Sequence, residues 1–154
     1  LIAQGADIIM HHTDSPAPLQ QAQKAGVWAV GQASDMAAFG PKAQLTAIID
    51  DWNAYYIQRT KALLDGNWKS QDVWGGFKSG MVKMAPYNKA IPANVVAMAE
   101  KAKEGIFNGT VHAFTGPIKD QKGKIRVPAG QNADDTLLGG MNFYVEGIDA
   151  TIPK

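Results

Sequence analysis

Ala6-Asp7-Ile8-Ile9-Met10, followed by His11-His12-Thr13-Asp14-Ser15-Pro16 and, past Ala25-Gly26, by Val27-Trp28-Ala29-Val30, is the stretch that decides the fold. Ile8, Ile9 and Met10 form a short apolar run, as a strand buried on both faces of a parallel sheet requires. Asp14 or Ser15 is placed to cap the next helix, and Pro16 suits its first turn. Gly26 stops that helix, and Val27–Val30 reads as a second strand. Further on, Gly31-Gln32-Ala33-Ser34-Asp35-Met36 is a loop, Gly40-Pro41 a turn and Leu45-Thr46-Ala47-Ile48-Ile49 a third strand. Asp50-Asp51 opens a helix in which Tyr56, Ile57, Thr60, Leu63 and Leu64 recur at helical spacing up to Gly66. Strand, helix, strand, strand, helix with short loops predicts an α/β fold built on a doubly wound parallel sheet. In the other direction, Leu1–Gly5 reads as the last turn of a helix closed by a glycine, an expectation that the chain continues a longer one.

The second half changes character. Val73-Trp74-Gly75-Gly76-Phe77 and Met81-Val82-Lys83-Met84 read as short strands. Ala93 to Asn108 reads as an amphipathic helix, with Pro92 at its start, Val95, Met98, Ala102 and Ile106 on one face, and Gly109 at its end. Ile118 and Ile125-Arg126-Val127 flank Asp120-Gln121-Lys122-Gly123, a hairpin signal. Internal repeats and low-complexity tracts are absent.

Composition narrows the function. The 154 residues carry 15 Lys and Arg against 14 Asp and Glu, a net charge of +1, so the basic footprint of a nucleic-acid binder is missing. No apolar run approaches the roughly 20 residues of a membrane-spanning helix. With no Cys, disulfides, thiolate nucleophiles and Cys-based zinc sites are excluded. At 45% hydrophobic residues the chain is rich enough to bury a core.

In an open α/β sheet, ligands bind beyond the carboxyl ends of the strands. That rule selects three loops, 11–15, 32–36 and 50–53. His11-His12 is not read as a metal site, because neighbours on a strand point to opposite faces, and the third histidine, His112, lies far along the chain. His12, Asp14 and Ser15 have the types of a hydrolytic triad, yet three nearly consecutive residues on one tight loop rarely reach its geometry. Gly-x-Ser-x-Gly, Gly-x-x-x-x-Gly-Lys-Ser/Thr and Gly-x-Gly-x-x-Gly are absent, and no cofactor is called for. Asp50-Asp51 and Asp134-Asp135 read chiefly as helix-start carboxylates. Trp52 and Trp74, the latter just before Gly75-Gly76, stand where a cleft is expected and can stack on a flat ligand. Asp14, Ser34 and Asp35 supply convergent polar groups. Reversible binding is therefore the reading. An α/β enzyme acting on nucleosides or sugar phosphates is the alternative.

Several of these strings resemble the basic membrane protein family, the substrate-binding components of ABC transporters that include purine nucleoside receptors. They are Gly5–Met10 leading into His12-Thr13-Asp14-Ser15, Gly31–Met36, Leu45–Ile49, Trp74-Gly75-Gly76, Phe114-Thr115-Gly116-Pro117-Ile118-Lys119-Asp120, and Gly140-Met141-Asn142-Phe143-Tyr144-Val145-Glu146-Gly147. The resemblance implies a type I periplasmic-binding-protein-like architecture, two α/β lobes closing on a solute, of which this chain forms mostly one. Residues 1–75 would be a segment of the ligand-binding lobe, and 76–154 the hinge return with a family-specific C-terminal segment. It further implies a missing N-terminal lobe, a membrane permease as partner, and a periplasmic or cell-surface lipoprotein setting. The ligand loops would include His12, Thr13, Asp14, Ser34, Asp35, Trp52, Trp74 and Gly75. Nucleoside receptors of the family often carry Gly-x-Asp after the second strand, its Asp holding ribose hydroxyls; here that position is Ala33. The basic residue that some of them place after the third strand is replaced by Asp50-Asp51-Trp52. Ala33 leaves sugar hydroxyls unpaired, so the expected ligand is a free purine base such as adenine rather than a nucleoside. A same-family receptor for a non-purine solute remains open.

Overall fold

The computed structural model describes residues 1–153. The chain divides into two compact units, Leu1–Phe107 and Asn108–Lys154. In the first, β1 (Ile8–Met10), β2 (Trp28–Gly31) and β3 (Gln44–Asp50) are parallel, and β4 (Val82–Met84) is antiparallel to β3. The order is β1-β2-β3-β4. Helix α1 (Ala17–Ala25) links β1 to β2, α2 (Asn53–Leu64) follows β3, and α3 (Ala93–Asn108) follows β4. This is the mixed α/β class with a parallel sheet expected from the sequence.

Local chemistry accounts for the boundaries. Gly5 adopts φ 96° and closes a 3₁₀ turn over Ile2–Gln4, donating its N–H to the Ile2 carbonyl. Ser15 Oγ accepts the N–H of Ala17 at 3.2 Å, at the first residue of α1. Asp51 Oδ1 accepts the N–H of Asn53 at 3.1 Å, at the start of α2, so one of the paired carboxylates serves the helix start as expected. The core lies between α1 and the sheet: Leu19 and Ala22 pack with Ala29, Met36 and Ala43, and Ile9 and Val27 close it. Burial of Leu19 contributes about 1.5–3 kcal/mol.

Two expectations need correction. The run Val73–Phe77 is not a strand; residues 71–76 are irregular and Phe77–Gly80 is a turn. Gly76 N–H bonds to Ser79 Oγ at 3.0 Å instead of a ladder partner, and Val82–Met84 occupies the edge of β3. β1 is not buried on both faces: Met10 is 74% exposed, because β1 is the outer strand of this sheet. The helix at Asn53–Leu64 forms as the spacing requires; its apolar stripe is exposed, Leu64 at 82%, and no residue of the helix is buried. Periodicity reports an apolar face, and what covers that face is a tertiary matter.

The second unit holds the expected hairpin, β5 (Ile118–Lys119) antiparallel to β6 (Ile125–Val127), and α4 (Asp135–Gly139), capped by Asp134 Oδ1 through the Leu137 N–H at 2.7 Å. Its pivot is Asp120. The buried carboxylate accepts the N–H groups of Lys122 (2.9 Å) and Lys124 (3.1 Å) and the Arg126 Nε–H (2.8 Å). Burial works to raise its pKa, but these donors outweigh it and hold the carboxyl below the usual carboxylate range. The Arg126 guanidinium also lies over the Phe143 ring, 4.4 Å from its centroid.

Candidate functional site

The carboxyl ends of the strands are stitched together by backbone hydrogen bonds. Asp50, the last residue of β3, donates its N–H to the Ala33 carbonyl at 2.9 Å, which pins the loop after β2 to the end of β3. Asp51 donates its N–H to the Met81 carbonyl at 2.8 Å. Met81 in turn fills the space beside Gly75: a Cβ on Gly75 would lie 2.2 Å from Met81 Sδ and 2.7 Å from Ser79 Oγ. The loops at 33, 50–53 and 75–81 therefore form one connected rim. A side chain at position 75 would require the Met81 and Ser79 side chains to shift.

Trp52 sits on this rim at the start of α2. Its ring meets Tyr55 edge-on (centroids 5.5 Å apart, 81° between planes) and Tyr56 at a tilt (6.1 Å, 37°). It remains 43% exposed, so it has surface left for stacking. Trp74 is 63% exposed next to Gly75.

Other predicted residues fare differently. His12, Thr13 and Asp14 are exposed on the loop after β1, and Thr13 Oγ1 lies 3.3 Å from His11 Nδ1. Ser34 is exposed. Asp35 is turned back toward the start of β3: its Oδ1 accepts the Ala37 N–H (3.0 Å) and Gln44 Nε2–H (2.7 Å). It lines a hollow of about 380 Å³ with Gln44, Pro86, Tyr87 and Asn88. A second hollow, of about 820 Å³, lies between β4 and α3, lined by Phe77, Met84, Ala97, Glu100 and Phe107 among others. His12, Thr13, Asp14, Ser34, Trp52, Trp74 and Gly75 line neither. The rim joins Gly75 with the segment carrying Trp52, and Ala33 with Asp50, while Asp35 is exposed and bonded to Ala37 and Gln44.

Two features escaped the sequence reading. The cation that Asp50-Asp51-Trp52 lacks is supplied in space by Lys83 of β4, whose ammonium pairs with Asp51 Oδ2. That bond, with the Asn53 N–H, holds the Asp51 carboxyl below the usual carboxylate range. Residues 51 and 83 meet only because β4 runs antiparallel to β3, with Val82 opposite Asp50. The second feature is a pair of buried polar atoms, His11 Nε2 and Gln32 Oε1, which have no hydrogen-bond partner among the described residues. Both residues follow directly on strand ends, inside the loops 11–15 and 32–36 that the ligand rule selects; what the sequence does not show is that these atoms are buried without partners.

Among the described residues no group of three or more His, Asp or Glu could hold a metal, and no helix is long and apolar enough to cross a membrane. The parallel sheet thus carries aromatic and polar groups on the loops at its carboxyl ends. The chain belongs to the family of PnrA-like ABC transporter substrate-binding proteins, whose model matches residues 1–114. That family is one of solute-binding proteins, not of enzymes. Over all 154 residues the chain is 53% identical to a purine-binding protein of Brucella abortus (strain 2308), covering 44% of it. It is 28% identical to a putative ABC transporter glucose-binding protein of Haloferax volcanii, covering 37%. The chain thus spans less than half the length of these curated relatives. Two solved structures share the fold. A transcriptional activator of the comK gene from Bacillus halodurans aligns with a TM-score of 0.64 at 18% identity, over 73% of this chain and 40% of that one. A solute-binding protein of an ABC transporter system from Aeropyrum pernix K1 aligns with a TM-score of 0.58 at 12% identity, over 90% and 44%.

Proposed function

We propose that this chain forms part of an extracytoplasmic receptor that binds a purine-type solute reversibly, prefers the free base to the nucleoside, and delivers it to an ABC permease. The ligand would lie on the rim at the strand ends, stacked on Trp52 or Trp74, with His12, Thr13, Asp14, Ser34 and Gly75 around it. Residues 1–75 would supply this wall and 76–154 the return and the family-specific segment. A second lobe would close over the ligand, and the closed state is what a permease would recognise. A periplasmic or lipid-anchored setting goes with that role.

The observation that carries the base preference is Ala33. Its carbonyl is bonded to Asp50 on the rim, and the resemblance aligns it with the Asp that nucleoside receptors of the family often use for ribose. A methyl group offers no acceptor, and each sugar hydroxyl buried unpaired costs roughly 1–3 kcal/mol. The name of the Brucella relative supports a purine. Calorimetry on the full-length protein with adenine, guanine, adenosine and guanosine tests the proposal. Adenine should bind more tightly than adenosine, and the reverse ranking, or no purine binding at millimolar concentration, refutes it.

A second reading, a sugar or another non-purine solute, is favoured by the name of the Haloferax relative. Mass spectrometry of the solute that co-purifies with the protein separates the two.

A further inference from the structure

We infer that Gln32 is a specificity-determining residue of the proposed purine site, its side-chain oxygen accepting a hydrogen bond from an N–H donor of the ligand. The inference rests on the purine reading above and adds to it the atom that reads the edge of the base.

Three observations converge on this residue. Gln32 Oε1 is buried and meets no donor among the described residues, a condition that folded proteins avoid unless something else fills it. Gln32 follows directly on Gly31, the last residue of β2, so it stands at the carboxyl edge of the sheet where a ligand is expected. It is also held from its far side by strained backbone. Ala33 adopts φ 63°, the left-handed region that residues with a Cβ seldom enter, and its carbonyl is fixed by the Asp50 N–H. Backbone strain next to an unfilled acceptor is the combination expected where geometry serves binding rather than stability.

The other orphaned atoms do not share this combination. Gln44 Oε1 faces Gly31 inside the sheet, where its Nε2–H is committed to Asp35. Tyr87 faces Glu100, away from the rim. His11 Nε2 stands at the end of β1, but either ring nitrogen can carry its proton, so its preference is not set by chemistry alone.

Gln32 as a residue is only half-buried. Its last torsion is soft, and no hydrogen bond accepted by that oxygen has to break for the amide to turn to a ligand. A carboxamide oxygen accepts and cannot donate. Its partner must therefore be an N–H: the exocyclic amino group of an aminopurine, or the ring N–H that a free base has and a nucleoside lacks.

The experiment is a cycle between ligand and protein. Adenine, unsubstituted purine (no amino group) and 9-methyladenine (no ring N9–H) are titrated calorimetrically into the full-length wild type and into Gln32→Leu. In the wild type, one of the two analogues should bind about tenfold or more weakly than adenine. In Gln32→Leu that penalty should disappear, and adenine itself should bind about tenfold more weakly. Equal adenine affinity in the two proteins, or penalties unchanged by the substitution, overturns the inference while leaving the purine reading intact. If Gln32→Leu fails to fold, the wild type alone decides: equal binding of all three ligands overturns the inference. A wild type that binds none of them overturns the purine reading and the inference with it.

Discussion

Ala33→Asp restores the side chain that the resemblance associates with nucleoside binding, and the structure sets the terms of the result. The backbone tolerates the change, since φ 63° at Ala33 is a conformation that Asp enters more readily than Ala. The Ala33 carbonyl keeps its bond to Asp50, so the loop stays in place. Each hydroxyl bonded to a carboxylate contributes about 1.5–3 kcal/mol. Two such bonds are opposed by the new charge, which is desolvated beside Asp50 and close in sequence to Asp35; Asp51 is already paired with Lys83. If these costs offset about half of the gain, roughly 1.5–3 kcal/mol remains, or on the order of 13- to 160-fold in adenosine affinity. Adenine, with no ribose, should change by threefold or less. Calorimetry with both ligands on both proteins reads the ratio directly. An unchanged adenosine-to-adenine ratio in a folded variant that still binds adenine refutes the placement of Ala33 against the sugar. Ala33→Gly is the control: it should relieve the left-handed strain, raise stability by about 0.5–1 kcal/mol and leave the ligand ranking as it was.

Other outcomes follow from packing and charge. Leu19→Ala removes the largest fully buried side chain and should cost about 2–5 kcal/mol in urea unfolding. Gly40→Ala would set a methyl 2.7 Å from Leu19 Cγ and should cost about 1–3 kcal/mol alone, but less when combined with Leu19→Ala; strict additivity would contradict the contact. Asp120 has a lowered pKa in the fold, so its ionised form stabilises above the ordinary carboxylate value of about 4, and that stability is lost as pH falls through the lowered value. Asp120→Asn should therefore be less stable than wild type at pH 7, with the gap narrowing as the pH falls below about 4; a gap independent of pH would show that the charge does not matter. Trp52→Ala and Trp74→Ala test stacking, which is worth about 1–3 kcal/mol per base. At least one should weaken adenine tenfold or more, and unchanged affinity in both would move the ligand off this rim.

The sequence by itself determined the local elements of this protein. Apolar runs, glycine stops and capping side chains act within a few residues, so the strands at 8–10, 28–31 and 44–50, α1, α3 and the hairpin across Asp120 were all legible. Ala33 was singled out only through the family resemblance, since a carboxylate is missing there only by comparison with the Gly-x-Asp pattern. Val73–Phe77 misled because its apolar residues satisfy a strand pattern, while the contacts that exclude a strand, Gly75 against Met81 and Gly76 against Ser79, depend on how the chain turns back. Only the tertiary structure decided that Lys83 neutralises Asp51, that Asp35 faces Gln44 rather than the rim, and that Gln32 is left with an empty acceptor. Charge pairing and hydrogen-bond satisfaction depend on distances between residues remote in sequence, and those distances exist only once the sheet has set its register.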